Sequence, residues 1–194
     1  VKIAVVGASG MVGSRVVAEA VRRGHDVTTV SRSGGDVRGD ATDRELMDSV
    51  LSGVDGAVVA TAGVTSTVLL DAALATRTRV IVVGGAAPLR TPDGTGLVLD
   101  DERYVPPHIR PVAEASMRQL AECEAHRADW VYLSPPELLE PGERTGTYRR
   151  GTDALLVGPS SISVEDLAVA VLDELENPGE DRRFTVASRG PAAG

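Results

Sequence analysis

Three glycines near the start of the chain, Gly7, Gly10 and Gly13, fall in the run Gly7-Ala8-Ser9-Gly10-Met11-Val12-Gly13, between an apolar stretch and a helical pattern. Each has its own use at this spacing. Gly7 lets the chain turn sharply out of a strand. Gly10 removes the side chain where a pyrophosphate would approach backbone amides, and Gly13 permits close packing of helix on sheet. The helix that follows would aim its unpaired N–H groups and partial positive charge at the same point. The spacing is G-x-x-G-x-x-G rather than the G-x-G-x-x-G of the dehydrogenase fingerprint, so its weight comes from its place between strand and helix. The plain alternative is a tight strand-to-helix turn that holds no ligand.

A second group of polar residues indicates which dinucleotide such a loop would hold. The second apolar run ends in Val30-Ser31-Arg32-Ser33, with no acid before Asp36. An NAD site places Asp or Glu there, on the ribose hydroxyls of the adenosine. A guanidinium between two hydroxyls instead suits a 2′-phosphate, through charge-assisted hydrogen bonds. The expectation is NADP(H) over NAD(H), set against the reading of Arg32 as a solvated loop residue. Asp40 and Ala41 stand where they can reach the adenine edge, unless Asp40 is only the cap of the next helix. Ala60, Thr61, Ala62 and Gly63 follow the fourth strand, on the nicotinamide side, because ligands sit at the carboxyl ends of parallel strands.

The elements that must position these residues alternate between short apolar runs and helical patterns, the signature of parallel βαβ units. Strands are expected at residues 1–6, 27–30, 56–60, 80–83, 130–133 and 184–187, with a short one at 36–38. Helices are expected at 11–23, 43–51, 65–75, 113–127 and from Ser163 to residue 176. In the first helix Val12, Val16, Val17, Ala20 and Val21 form the apolar face, and Arg15, Glu19 and Arg22 the polar one. Ser163-Val164-Glu165-Asp166 is a capping-box variant. Residues 89–107, rich in proline and glycine, form a long surface excursion, and residues 140–150 a Gly- and Arg-rich loop or short strand. Residues 1–187 read as a single domain and residues 188–194 as a loose tail.

Composition narrows the function classes. The chain has 194 residues, a formal net charge of -8, one cysteine, and 20 basic side chains of which Lys2 is the one lysine. Phosphate backbones need clustered positive charge, so the acidic balance argues against nucleic acid as a partner. One cysteine excludes an intrachain disulfide framework and a Cys-based zinc site. No apolar run approaches the ~20 residues a membrane helix requires. With no targeting segment visible, a soluble cytoplasmic protein is the expectation.

The chain resembles the atypical short-chain dehydrogenase/reductases of the NmrA-like, NAD(P)H-binding type, in the bacterial NADH-flavin reductase branch. The resemblance covers nearly the whole chain. It rests on the Gly7 to Gly13 loop, Gly39-Asp40-Ala41-Thr42-Asp43, Trp130-Val131-Tyr132-Leu133-Ser134-Pro135-Pro136, Glu140-Pro141-Gly142-Glu143-Arg144-Thr145-Gly146, Ser161-Ile162-Ser163-Val164-Glu165-Asp166-Leu167-Ala168 and Arg183-Phe184-Thr185-Val186. It implies a Rossmann-like doubly wound parallel sheet, helices on both faces, strand order 3-2-1-4-5-6 and a small C-terminal substrate lobe.

Ordinary short-chain enzymes use a serine and a Tyr-x-x-x-Lys pair, the lysine lowering the tyrosine's pKa. Here Tyr104, Tyr132 and Tyr148 are followed four residues on by His108, Pro136 and Thr152, and the place for a serine reads Gly84-Gly85-Ala86-Ala87. No dedicated proton donor can be assigned; His108 and Tyr148 are the weak candidates. Hydride transfer to a flavin such as FMN, a quinone or a similar small planar acceptor suits that absence. Gly84, Gly85 and Ala86 would leave room for the acceptor, with Pro135, Pro136 and Tyr148 on the opposite wall. The alternative is a non-catalytic NADP(H)-binding redox sensor of the NmrA type.

Other residues have plainer expectations. His108 is favoured as a surface loop histidine, and Trp130 and Tyr132 as core. Cys123 and His126 share a helix face without further ligands, so no metal is expected. Asp173, Glu174 and Glu176 read as a solvated face. Glu114 stays open between site and helix-dipole roles. Arg144, Arg149 and Arg150 could grip an anionic substrate or a partner.

Overall fold

The β-branched runs pair into one sheet in a computed structural model that describes residues 1–63 and 67–190. In chain order the elements are β1 (Lys2–Val6), α1 (Met11–Arg22), β2 (Asp26–Ser31), β3 (Val37–Arg38), α2 (Arg44–Leu51), β4 (Gly56–Val59), α3 (Thr67–Thr76), β5 (Arg79–Val83), a 3-10 turn (Val98–Asp100), α4 (Arg110–Glu124), β6 (Trp130–Ser134), β7 (Leu138–Glu140), β8 (Arg149–Gly151), β9 (Ser161–Ser163), α5 (Val164–Glu176) and β10 (Arg183–Ala187). The expected start of α3 at Thr65 lies outside the described residues. So do residues 191–194 of the expected tail; Ser188 itself is tied down, its N–H donating to Ser161 O at 2.8 Å.

The main sheet has eight strands in the order β3-β2-β1-β4-β5-β6-β10-β8. All pairings are parallel except β10 with β8. The chain runs from β1 outward to β3, then returns to the other side of β1, so the order reverses between β1 and β4. That reversal opens a crevice at the carboxyl ends of both strands. The C-terminal third divides: α5, β8 and β10 join the main layers, while β7 and β9 form a separate two-stranded parallel sheet.

Both faces of the sheet are covered, which is why the strands are almost continuously apolar. Alternate residues of β1 point opposite ways. Ala4 and Val6 join a core with Met47, Leu51, Leu69, Leu70 and Leu120. Ile3 and Val5 join one with Val16, Ala20, Leu167 and Val171. Each fully buried Leu, Ile or Val contributes roughly 1.5–3 kcal/mol. A third, small cluster of Leu89, Val98, Val105 and Leu155 lies beneath the excursion after β5, giving that loop its own packing.

Two helix faces differ from the sequence expectation. On α1, Glu19 is 5% exposed and Val21 is 59% exposed, the reverse of the expected polar and apolar sides. On α5, Glu174 is buried rather than solvated. Each acid faces arginines: Arg22 and Arg23 from its own helix end and Arg144 from a distant segment for Glu19, and Arg79 and Arg150 from distant strands for Glu174. Charge pairing at these positions outweighs the apolar pattern.

The capping box at α5 forms by half. Ser163 Oγ accepts from the Asp166 N–H at 3.0 Å. The Asp166 carboxylate does not reach back; it accepts instead from the Thr145 hydroxyl at 2.6 Å and the Gly146 N–H at 2.8 Å. Glu165 likewise takes the Gly142 N–H and Arg15. The first turn of α5 thereby straps the loop after β7 against α1.

Candidate functional site

A cleft of about 830 Å3 opens at the reversal point, walled by the carboxyl ends of β1, β2, β4 and β5. Gly7 forms its hinge. At φ +87° its backbone is one that side chains resist, its N–H donates to Val30 O at 2.9 Å, and an added Cβ would lie 2.6 Å from Ala60 O. Gly13 stands behind the cleft, where a Cβ would overlap Gly7 O; it packs the helix and does not line the wall. Gly10 is the N-cap of α1, in extended conformation and without a side-chain cap. The N-cap thus makes no side-chain cap bond, and Ser9, Gly10, Met11 and Val12 at that helix end line the cleft.

At the end of β2, Arg32 and Ser33 line the cleft, together with Ser31. The two serines differ. Ser31 Oγ donates to Gly34 O at 2.6 Å and accepts from the N–H of Ser33 and Gly34, so its hydroxyl is spent on the turn. Ser33 Oγ reaches across to Ser9 Oγ at 3.4 Å, joining the glycine loop to the turn after β2. Asp36 accepts from the N–H and hydroxyl of Thr29. Asp40 and Ala41 also line the cleft. The Asp40 carboxylate accepts from the Thr42 N–H and hydroxyl; these bonds, with Arg32 nearby, hold its pKa below the ordinary value. Asp43, not Asp40, caps α2, accepting from the Leu46 N–H at 3.0 Å.

At the other end, Ala60, Thr61, Ala62, Val83 and Gly84 line the wall. Gly63 turns away onto α4, where its Cβ would sit 2.7 Å from Ala115 Cβ. Gly84 owes its lack of a side chain to what lies behind it: a Cβ there would overlap the Tyr132 hydroxyl. Tyr132 is fully buried, its hydroxyl 3.0 Å from Ser116 O and 3.2 Å from Gln119 Oε1. Burial drives its pKa far above the ordinary phenol value, although the Gly85 N–H donates to it. Gly85 is similarly closed off by Ser116 Oγ.

The expected opposite wall is different. Gly85, Ala86, Pro135, Pro136 and Tyr148 do not line the cleft. Pro135 and Pro136 are buried as β6 ends, and Ala86 packs on the cluster under the excursion. Tyr148 packs against the α1–α5 side and donates its hydroxyl to Asp173 at 2.8 Å. Burial, then Asp173, pushes its pKa up to about 12, and its hydroxyl is engaged away from the cleft. His108 is exposed ahead of α4 and lies outside the lining. Glu114 pairs with Arg110 on the surface of α4. Arg149 is bonded to the carbonyls of Val157, Pro159 and Ser188, and Arg150 to Glu174 above the Phe184 ring, so both are engaged within the chain and outside the cleft lining. The Cys123 thiol is buried, and His126 Nε2 lies 3.1 Å from Asp71.

Sequence reasoning missed Val6, Val30, Gly39, Val83 and Leu139. The strand-end rule could have found Val6, Val30 and Val83, each at or beside the last residue of its strand. Leu139 comes from β7, held over the cleft by the strap described above, and no local pattern marks it.

Glycine turn, uncapped helix end and strand termini at the reversal point define a Rossmann-like dinucleotide-binding protein of the atypical short-chain dehydrogenase/reductase type. The chain belongs to the NAD(P)H-binding family whose model matches residues 7–178. It is 34% identical to the uncharacterized protein YwnB of Bacillus subtilis (strain 168), over 96% of this chain and 98% of that one. A crystal structure of a "Putative exported protein" from Burkholderia pseudomallei is 36% identical, with a TM-score of 0.84 over 96% of this chain and 98% of that one. A "putative NADH-flavin reductase" from Streptococcus pneumoniae TIGR4 is 28% identical, with a TM-score of 0.84 over 97% of this chain and 99% of that one. No helix among the described residues is long and apolar enough to cross a membrane.

Proposed function

We propose that this protein is an NADPH-dependent reductase that passes hydride to a flavin, a quinone or a similar planar acceptor. The observation that carries the reading is the division of the cleft. Ser9, Arg32, Ser33 and Asp40 supply charge and hydroxyls at one end, whereas Ala60, Ala62, Val83, Gly84 and Leu139, with the hydroxyl of Thr61, make the other end small, uncharged and mostly apolar.

The glycine loop and the α1 amide edge would hold the pyrophosphate, and Arg32 with Ser33 the 2′-phosphate. A bound reduced dinucleotide supplies the hydride, and the acceptor carries its own redox chemistry. The apolar end excludes water and holds a flat ring against the nicotinamide. Among the described residues lining that end there is no His, Cys, Lys or carboxylate, which favours an acceptor that needs no protein acid. The Streptococcus relative is named for the same class of acceptor, though for NADH. A cytoplasmic setting goes with this reading, although the Burkholderia relative is named as exported.

Stopped-flow oxidation of NADPH with FMN, riboflavin and quinones tests it. The expected result is turnover above the uncatalysed rate, with NADPH preferred to NADH. Background rates with every acceptor would overturn the reductase reading. Binding without turnover, at different affinities for NADP+ and NADPH, would favour the redox sensor instead.

A further inference from the structure

Beside the adenosine end of the cleft, next to the lining residues Arg32 and Gly39, stands a second guanidinium, that of Arg38. Arg38 ends β3, in register with Ser31 on β2, so the ladder brings it level with the turn that presents Arg32. Its Nε–H donates to the Arg32 carbonyl at 3.1 Å, and both arginine side chains are exposed.

Two acids stand close by in the chain, and each has one carboxylate oxygen bonded to a threonine. Asp36 Oδ2 accepts from the Thr29 N–H at 2.9 Å and the Thr29 hydroxyl at 2.8 Å. Asp40 Oδ1 accepts from the Thr42 N–H and hydroxyl, both at 2.9 Å. Among the described residues neither Arg32 nor Arg38 forms an ion pair, whereas Arg44, a few residues on, pairs with Asp48 at 2.8 Å. Asp40 acts on Arg32 only at longer range, and neither aspartate makes a contact ion pair with Arg32 or Arg38 among the described residues. Two adjacent unpaired cations repel one another unless an anion lies between them.

A phosphate monoester carries about −1.5 to −2 charges near neutral pH, more than one guanidinium balances. We propose that Arg38 is the second arm of the 2′-phosphate site and a determinant of NADP(H) specificity, an inference that rests on the NADPH reading above. Its Nε bond fixes the carbonyl of Arg32, and its terminal N–H groups, which carry no hydrogen bond among the described residues, are available to phosphate oxygens.

The test is equilibrium titration of the full chain and of the variants Arg32→Ala, Arg38→Ala and Arg38→Lys with NADP+ and NAD+, repeated at two salt concentrations. Arg38→Ala is expected to weaken NADP+ at least tenfold, leave NAD+ within twofold, and flatten the salt dependence for NADP+. Arg38→Lys is expected to fall between, since it keeps the charge and loses the planar fork. Unchanged NADP+ affinity in Arg38→Ala, while Arg32→Ala loses its preference, would overturn the role of Arg38 and leave the NADPH reading standing. An equal loss for both dinucleotides would reduce Arg38 to a prop for the turn. A wild-type chain that binds NADP+ and NAD+ alike would overturn the NADPH reading and this role together.

Discussion

Arg144 donates from Nε and Nη2 to the two carboxylate oxygens of Glu19, at 2.8 and 3.0 Å, across 125 positions of sequence. Arg22 and Arg23 bind the same carboxylate from within α1 and just beyond it. The bond joins the helix that begins at the glycine loop to the segment following β7, whose Leu139 reaches the cleft. Glu19 is therefore a fastening between the dinucleotide half of the molecule and its C-terminal part.

Replacing Glu19 with Ala removes the carboxylate that joins Arg144 to α1, while Arg23 keeps Asp173 and Glu176. Losing hydrogen bonds to a charged group costs about 1.5–3 kcal/mol. Urea denaturation of Glu19→Ala should show a loss of that size, and a change near zero would mean the cluster is solvated. The pH dependence follows from the same contacts. Burial acts to raise the Glu19 pKa, but the bonds from Arg22, Arg144 and Arg23 prevail and hold it well below the carboxylate range. A depressed folded pKa means full stabilisation above the unfolded value of about 4.3, lost as pH falls below it. Urea midpoints measured from neutral pH down to acid should therefore drop more steeply for wild type than for Glu19→Gln.

Gly7 and Gly10 separate folding from binding. Gly7→Ala meets both an unfavourable φ and the Ala60 carbonyl 2.6 Å away, so it should lower the melting temperature; the backbone conformation alone costs about 1–2 kcal/mol. An alanine at Gly10 comes no closer than 3.3 Å to Gly7 O. Gly10→Ala should fold with a near-normal melting curve and bind NADP+ at least tenfold more weakly. A Gly10→Ala chain with unaltered affinity would show that the loop does not carry the pyrophosphate.

Tyr132 supports the floor of the cleft from behind. Tyr132→Phe removes the hydroxyl that receives the Gly85 N–H and bonds Ser116 O or Gln119, leaving buried polar groups unpaired at a cost of about 1–3 kcal/mol. Gly84→Ala places a methyl group against that hydroxyl and should be the more damaging of the two in thermal unfolding. If Gly84→Ala proved as stable as wild type, the contact would be looser than described.

Cys123 is fully buried, and burial, with Glu122 and Glu124 adding, pushes its pKa up to about 12. The thiolate is the reactive form. The native protein should consume no thiol reagent at neutral pH and one equivalent per chain once denatured. Rapid labelling of the native chain would contradict this placement.

Much of the dinucleotide half was legible because its signals are local. Gly7 and Gly10 need a particular backbone and a bare approach, and β-branched runs mark strands covered on both faces. Strand ends gather at one crevice whenever the order reverses, so Ser9, Arg32, Asp40 and Ala60 could be assigned from pattern and spacing. The acceptor side was not legible in the same way. Pro135 and Pro136 read as a wall, yet they are buried at the end of β6. Tyr148 read as a candidate donor, yet its hydroxyl is committed to Asp173.

By itself, then, the amino-acid sequence determined the strand–glycine–helix unit, the alternation of strands with helices and the chemistry offered to a dinucleotide, since each depends on neighbours a few positions apart. Tertiary structure alone decided that Glu19 and Glu174 are buried, that Val21 is exposed, that Ser31 is spent on its turn, and that Leu139 reaches the cleft. The physical reason is that a charged or polar side chain goes wherever its partners are. Arg144 reaches Glu19 and Arg79 reaches Glu174 across 125 and 95 positions, distances over which no periodic pattern carries information.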